Sequence, residues 1–244
     1  MNIHQDKIAL VTGATRGIGA ETVRQLARAG VHTLLAGRNR ETAVELALKL
    51  QAEGLPVEAL QLDVTDAASI AAAVHEVEQR HGRLDILVNN AGIFRDDLAA
   101  PPSAQSLETW RETFDTNLFG VVATTRAFLP LLRRSAAGRI VNLSSALASL
   151  ALHSDPGFEF HDFKFPAYDA SKTALNAWTV HLAHELRDTP IKVNAVDPGS
   201  VRTDMNEHGG LDIATGASGS VRMALLDGDG PSGSFTHLGK VLPW

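Results

Sequence analysis

The 244 residues are 44% apolar and 20% charged, a balance that supports one sizeable core and excludes a disordered chain or a fibre. A formal net charge of -6 without any Lys/Arg run argues against a nucleic-acid surface, and the absence of Cys excludes disulfides and thiolate metal sites. The apolar stretch Leu118 to Leu132 is broken by Arg126 and threonines, and Met1 to Asp6 lacks the basic-then-apolar order of a secretory signal. No membrane span is therefore expected, and a cytoplasmic protein with a small-molecule partner is.

Lys7 to Val11 reads as a strand, Thr12 to Gly19 as a glycine turn, and Thr22, Val23, Leu26 and Ala27 as the inner face of a helix. Strand, glycine turn and helix in that order let a backbone approach a pyrophosphate and lay it on the exposed amides of the helix start. The spacing Gly13-x-x-x-Gly17-x-Gly19 meets the commoner Gly-x-Gly-x-x-Gly fingerprint only in part, and plain turn chemistry also uses such a cluster. Val31 to Ala36 reads as a second strand, ending in Gly37-Arg38-Asn39-Arg40. Asp or Glu at this place suits the ribose hydroxyls of NAD, whereas Arg accommodates a 2′-phosphate. Arg38, with Arg16 of the glycine turn, therefore points to NADP(H); the alternative is an arginine at the head of an exposed helix.

Ala43, Leu46, Ala47 and Leu50 mark a half-buried helix stopped by Gly54-Leu55-Pro56. Val57 to Leu62 is strand-like and leads to Asp63-Val64, after which Ile70, Val74 and Val77 mark another helix. The alternation predicts an α/β fold, a doubly wound parallel sheet with helices on both faces, whose ligands sit beyond the carboxyl ends of the strands. Asp63 falls at such an end, placed for an adenine amine or, equally, as a helix N-cap.

Ile86 to Val88 reads as a buried strand closed by Asn89-Asn90-Ala91-Gly92, small residues that suit a ligand's close approach or a turn. The longest helical pattern, Thr109 to Arg134, is interrupted near Asn117 and Gly120 and again by Pro130; an inward Asn in an apolar helix calls for a water or a functional contact. Arg139 to Leu143 is the next strand, ending in Ser144-Ser145. Tyr168 and Lys172 stand four apart at the head of a helix running through Ala174 to Trp178, and so share a face. An ammonium about 4 Å from a phenol, at an effective dielectric of about 20, favours the phenolate by roughly 4 kcal/mol, or about 3 pKa units. That shift predicts proton exchange near neutral pH, although such a pair also occurs on ordinary helix surfaces.

Thr12-Gly13-(x)3-Gly17-Ile18-Gly19, Asp63-Val64, Asn89-Asn90-Ala91-Gly92, Asn117, Ser145, Tyr168-(x)3-Lys172 and Pro198-Gly199-(x)3-Thr203 occur in this order over nearly the whole chain. Together they resemble a short-chain dehydrogenase/reductase. The resemblance implies a single Rossmann-like domain over residues 1–244 with a sheet of about seven strands. It implies Tyr168 as the acid/base, Lys172 lowering its pKa and holding the nicotinamide ribose, Ser145 orienting a carbonyl, and Asn117 holding a relay water. Gly13, Gly17 and Gly19 would carry the pyrophosphate, with Thr15, Arg16 and Ile18 of the same turn. Asp63 and Val64 would meet the adenine, and Asn90, Ala91 and Gly92 would back its ribose. Thr203, after Pro198, Gly199 and Val201, would hold the carboxamide.

Two features depart from the family pattern. Ser145 and Tyr168 enclose 22 residues, a longer stretch than the family's, which leaves Ser144 as a rival to Ser145. The added segment, 153–166, holds Phe158, Phe160, Phe163 and Phe165, four of the nine Phe, which bury one another, line a lipophilic pocket, or cover the helix pair through which family members associate. With Arg202-Thr203-Asp204-Met205, Gly230 to Phe235 and the final Trp244, it resembles the NADPH carbonyl reductases related to salutaridine reductase. Between Thr203 and Val221, where Gly and Ser dominate, no long helical lid is expected. The reading is an NADPH-dependent reductase of ketones or aldehydes, with alcohol oxidation or a non-catalytic NADP sensor as alternatives, and a monomer favoured over a homodimer or homotetramer.

Overall fold

Strands form where aliphatic residues run uninterrupted and both faces are covered. In the computed structural model, which describes residue 4 and residues 6–244, these are β1 (Ile8–Val11), β2 (His32–Gly37), β3 (Val57–Gln61), β4 (Ile86–Asn89), β5 (Arg139–Leu143), β6 (Lys192–Asp197), β7 (Phe235–His237) and β8 (Lys240–Val241). The sheet order is β3-β2-β1-β4-β5-β6-β7-β8. The first seven strands pair in parallel, and the two-residue β8 closes antiparallel on β7, one strand more than expected. Most of the N-terminal stretch read above for a secretory signal, Met1, Asn2, Ile3 and Gln5, lies outside the described residues.

The helices are α1 (Gly17–Arg28), α2 (Arg40–Ala52), α3 (Ala67–His81), α4 (Leu107–Phe114), α5 (Val121–Leu132), α6 (Leu150–His153), α7 (Pro166–Glu185) and α8 (Ile213–Ala224). Alternate strand residues feed two cores. Leu10, Leu34 and Leu60 pack under α3, α5 and α7 through Val77, Phe128 and Leu182. Ala9, Val11 and Leu35 pack under α1, α2 and α8 through Leu26, Ala47 and Met223. The winding reverses between β1 and β4, which opens the crevice beyond the carboxyl ends of those strands.

Of the helical expectations, the interruption near Asn117 and the absence of a long lid hold, and the break at Pro130 is corrected. α4 and α5 are joined through a π turn, Asp115–Gly120, so the interruption near Asn117 is a wider turn within one helical run, and Pro130 sits in the last turn of α5 without ending it. The Gly/Ser-rich stretch after Thr203 does form a helix, α8. Its glycines allow tight packing: a Cβ on Gly219 would lie 2.7 Å from Val196 Cγ1, and one on Gly216 would collide with Val201. α8 is thus a core helix against β6 and α1, not a lid.

Candidate active site

The glycine turn is built by close approach. Gly13 and Gly17 have φ of 60° and 55°, and a Cβ on Gly13 would stand 2.8 Å from Ala91 Cα. One on Gly19 would stand 2.7 Å from Gly13 O and strike Asn90. Asn90 braces the turn, donating from Nδ2 to Thr12 O (2.8 Å) and Gly13 O (3.1 Å), while Thr12 Oγ1 accepts from the amides of Asn90 and Ala91. The methyl of Thr15 lies against Gly37, where any Cβ would collide with it.

α1 then starts with Arg16 as N-cap and no side-chain acceptor for its first amides. Asn39, Asp66, Ser106 and Asp212 supply that acceptor for α2, α3, α4 and α8. The open amides of α1, about Gly17, Ile18 and Gly19, are what an anionic ligand requires. Arg38 is exposed, and its guanidinium makes no ion pair among the described residues. Arg16, expected beside it, instead reaches Asp204 at 3.0 Å, both side chains being about three-quarters exposed. Such a pair is worth about 0–1 kcal/mol and opens readily. Thr203, just before Asp204, faces Gly17, whose absent Cβ would stand 3.8 Å from Thr203 Cγ2. The turn before it is fixed by Gly199 at φ 78°, with its amide on Asp197 Oδ1, and by Val201, 3% exposed.

Asp63 is neither the N-cap of α3, which is Asp66, nor free at both oxygens: Oδ1 accepts from Thr65 N (2.9 Å) and Thr65 Oγ1 (2.7 Å). Val64 is buried against Gly120 of the π turn.

Asn117 is fully buried, and its amide is spent on protein. Oδ1 accepts from Ile93 N (2.8 Å), and Nδ2 donates to Ile93 O (2.9 Å) and Ser171 Oγ (3.0 Å). The side chain therefore ties the loop after β4 to α7.

The choice between the two serines is made by packing. Ser144 is buried, and its hydroxyl donates to Asn176 Oδ1 at 2.7 Å. Ser145, half-exposed, hydrogen-bonds to the Tyr168 phenol. Lys172, 4% exposed, donates from Nζ to Leu143 O at 2.8 Å and lies 5.8 Å from the Tyr168 ring centroid. A Cβ on Gly92 would fill the space 3.4 Å from that Nζ. Burial pushes the Lys172 ammonium down to about 8. The expected lowering of the Tyr168 pKa is not found. Burial, then the charge of Asp197, push the phenol well above its ordinary value, the Ser145 hydrogen bond opposes them, and Asp169 adds to the rise. The ammonium lies over the ring and bonds a carbonyl, so desolvation outweighs its attraction.

Sequence reading missed Asp96 and Phe94. Pro166 opens α7, and its N-cap, Phe165, has no capping side chain. Asp96, 7% exposed and 71 residues earlier, supplies both acceptors, Oδ1 from Ala167 N (2.9 Å) and Oδ2 from Tyr168 N (3.0 Å). An acidic residue soon after the strand-end Asn-Asn-Ala-Gly was the available signal, and it is a weak one. Phe94 joins the added segment to the site. Ring centroids run Phe158–Phe160 (5.5 Å), Phe160–Phe163 (6.0 Å), Phe163–Phe165 (6.2 Å), Phe165–Phe94 (5.0 Å) and Phe94–Tyr168 (5.5 Å). The phenylalanines thus pack ring against ring and end on the phenol, with Phe163 still 52% exposed. Phe119, in the π turn, and Val180, on α7, stay exposed.

The short chain dehydrogenase model matches residues 7–212. The chain belongs to the short-chain dehydrogenase/reductase family. This oxidoreductase is 32% identical to a (+)-neomenthol dehydrogenase of Capsicum annuum, with 96% of each chain covered. Salutaridine reductase of Papaver somniferum superposes with a TM-score of 0.82 at 29% identity, covering 94% of this chain and 99% of that one. NADPH-bound carbonyl reductase from chicken fatty liver gives 0.85 at 29% identity, covering 99% and 100%. The short-chain dehydrogenase/reductase thus has carbonyl and salutaridine reductases as structural neighbours. Among its described residues no helix is long and apolar enough to cross a membrane.

Proposed function

We propose that this short-chain dehydrogenase/reductase is an NADPH-dependent reductase of lipophilic ketones or aldehydes. The observation that carries the reading is the convergence of the Ser145 hydroxyl, the Tyr168 phenol and the Lys172 ammonium between the ends of β5 and β6. The uncapped start of α1, the unpaired Arg38 and the gap that Gly92 leaves beside Lys172 fit a phosphorylated dinucleotide, as the neighbours' NADPH does. When bound, that cofactor supplies the hydride. Ser145 orients the carbonyl oxygen, Tyr168 Oη donates the proton to the developing alkoxide, and Lys172 stabilises the phenolate left behind and holds the cofactor ribose. Asn117 is the residue at which a water returning the proton would be held.

A phenol is the form that gives a proton, which reduction requires, whereas alcohol oxidation by the same groups requires the phenolate. Oxidation by the same groups belongs at higher pH. A sensor that only binds the dinucleotide has no use for the Ser145–Tyr168 hydrogen bond. Phe94 beside the phenol, with Phe165 packed on it, suits an apolar substrate body.

NADPH oxidation followed across a panel of cyclic, aromatic and short aliphatic carbonyls tests the reading, with faster turnover of the bulky apolar members expected. Absence of turnover across the panel would overturn it. A monomer is the assembly we propose. Light scattering at micromolar concentration checks it, and a dimer mass would overturn it.

A further inference from the structure

At the amino ends of β2 and β3, away from the catalytic groups, His32, Glu58 and His81 converge. His32 opens β2, Glu58 is the second residue of β3, and His81 ends α3. The register places Leu34 beside Glu58, so His32 and Glu58 project on the face that α3 covers. His32 Nε2 lies 2.9 Å from Glu58 Oε1, His81 Nε2 lies 3.5 Å from Glu58 Oε2, and one ligand atom from each residue falls within 4.8 Å of the others. The side chains are 30%, 32% and 13% exposed for His32, Glu58 and His81, so all three are partly withdrawn from water.

Both Nε2 atoms are buried and meet Glu58 without the geometry of a well-formed hydrogen bond. Two buried nitrogens aimed at one carboxylate without donor geometry need an explanation, and a cation accepted by all three supplies it. Arg80 is the competing cation, 3.4 Å from Glu58 Oε2. It is half exposed and also bonded to Glu76 at 2.9 Å, so it can yield Glu58 and keep a partner.

We propose that His32, Glu58 and His81 form a site for a divalent transition-metal ion of the zinc class, with a fourth position open to water. Two imidazoles and one carboxylate suit this class, and ligands about 2.0–2.2 Å from a tetrahedral ion stand about 3.3–3.6 Å apart, a spacing that the three groups, all within 4.8 Å of one another, reach by small side-chain shifts. The ion ties β3, the outermost strand, to β2 and to the end of α3. Its role is to secure that sheet edge, and it takes no part in the chemistry at the carboxyl ends.

Chelator-stripped protein titrated with Co2+, read by visible d–d absorption, and with Zn2+, read by calorimetry, tests the site. One equivalent is expected to bind and to raise Tm, with His32→Gln and His81→Gln each weakening affinity at least tenfold. Failure to saturate near one ion per chain, or affinity unchanged in both variants, would overturn it. If the variants do not fold, the imidazole NMR signals of His32 and His81 in the wild-type chain decide. Both are expected to shift on adding Zn2+, and unmoved signals would overturn the site.

Discussion

α1 and α7 flank the active site and begin in opposite ways. α1 leaves its first amides without a side-chain acceptor, and a Cβ on Gly13 or Gly19 beside them would collide with the backbone. α7 is closed by a carboxylate from 71 residues away, Asp96, which takes the amides of Ala167 and Tyr168. The same helix-end electrostatics serve two ends. An open start awaits charge brought by a ligand, whereas a start closed by the protein's own charge fixes the backbone of the side chain that must act. Four perturbations test the contrast.

The largest effect is expected at the closed end. Tyr168→Phe removes the proton donor and should lower kcat by about 10²–10⁴-fold, while NADPH affinity, measured by fluorescence titration, stays within a few-fold of wild type. Activity above about a tenth of wild type would remove Tyr168 from the mechanism.

At the open end, Arg38→Asp should weaken NADPH by about 10–100-fold and shift preference toward NADH, since a charge-assisted hydrogen bond is worth about 1.5–3 kcal/mol. A wild-type kcat/KM that already favours NADH would show that Arg38 meets no phosphate.

Asp96→Ala separates positioning from binding. Loss of a helix cap costs about 0.5–2 kcal/mol, so Tm should fall by several degrees. Because the lost bond holds the Tyr168 amide, kcat should also fall severalfold with NADPH affinity unchanged. A lower Tm with full kcat would make Asp96 a cap and nothing more.

The smallest effect is in the pH dependence of stability. Burial, foremost, pushes Asp169 up to about 7; the Phe165 amide opposes this, Asp96 adds to it, and Lys164 opposes it. Between its ordinary value near 4 and about 7 the folded chain holds a proton that the unfolded chain has lost. This residue's contribution therefore declines as pH rises through that window, and Asp169→Asn should flatten that part of a Tm-against-pH curve. A curve of unchanged slope would show that Asp169 ionises normally.

Much of this protein was legible as sequence. The strands through β6, the glycine turn and the Tyr168–Lys172 pair follow from short-range rules: uninterrupted apolar runs, glycine's tolerance of positive φ, and the spacing of one helical turn. The order of those motifs was enough to place the chain in its family.

The rest is a property of the packed state. Ser145 and Ser144 are equivalent on paper, and only the bond from Ser144 to Asn176 on α7 separates them. Asp96 caps a helix that starts 70 residues later, beyond the reach of any local pattern. The predicted direction of the Tyr168 pKa was reversed because spacing along a helix reveals a neighbouring charge but not the water that folding removes. Desolvation and the charge of Asp197, at the end of β6, exist for that phenol only once the sheet and α7 have closed around it.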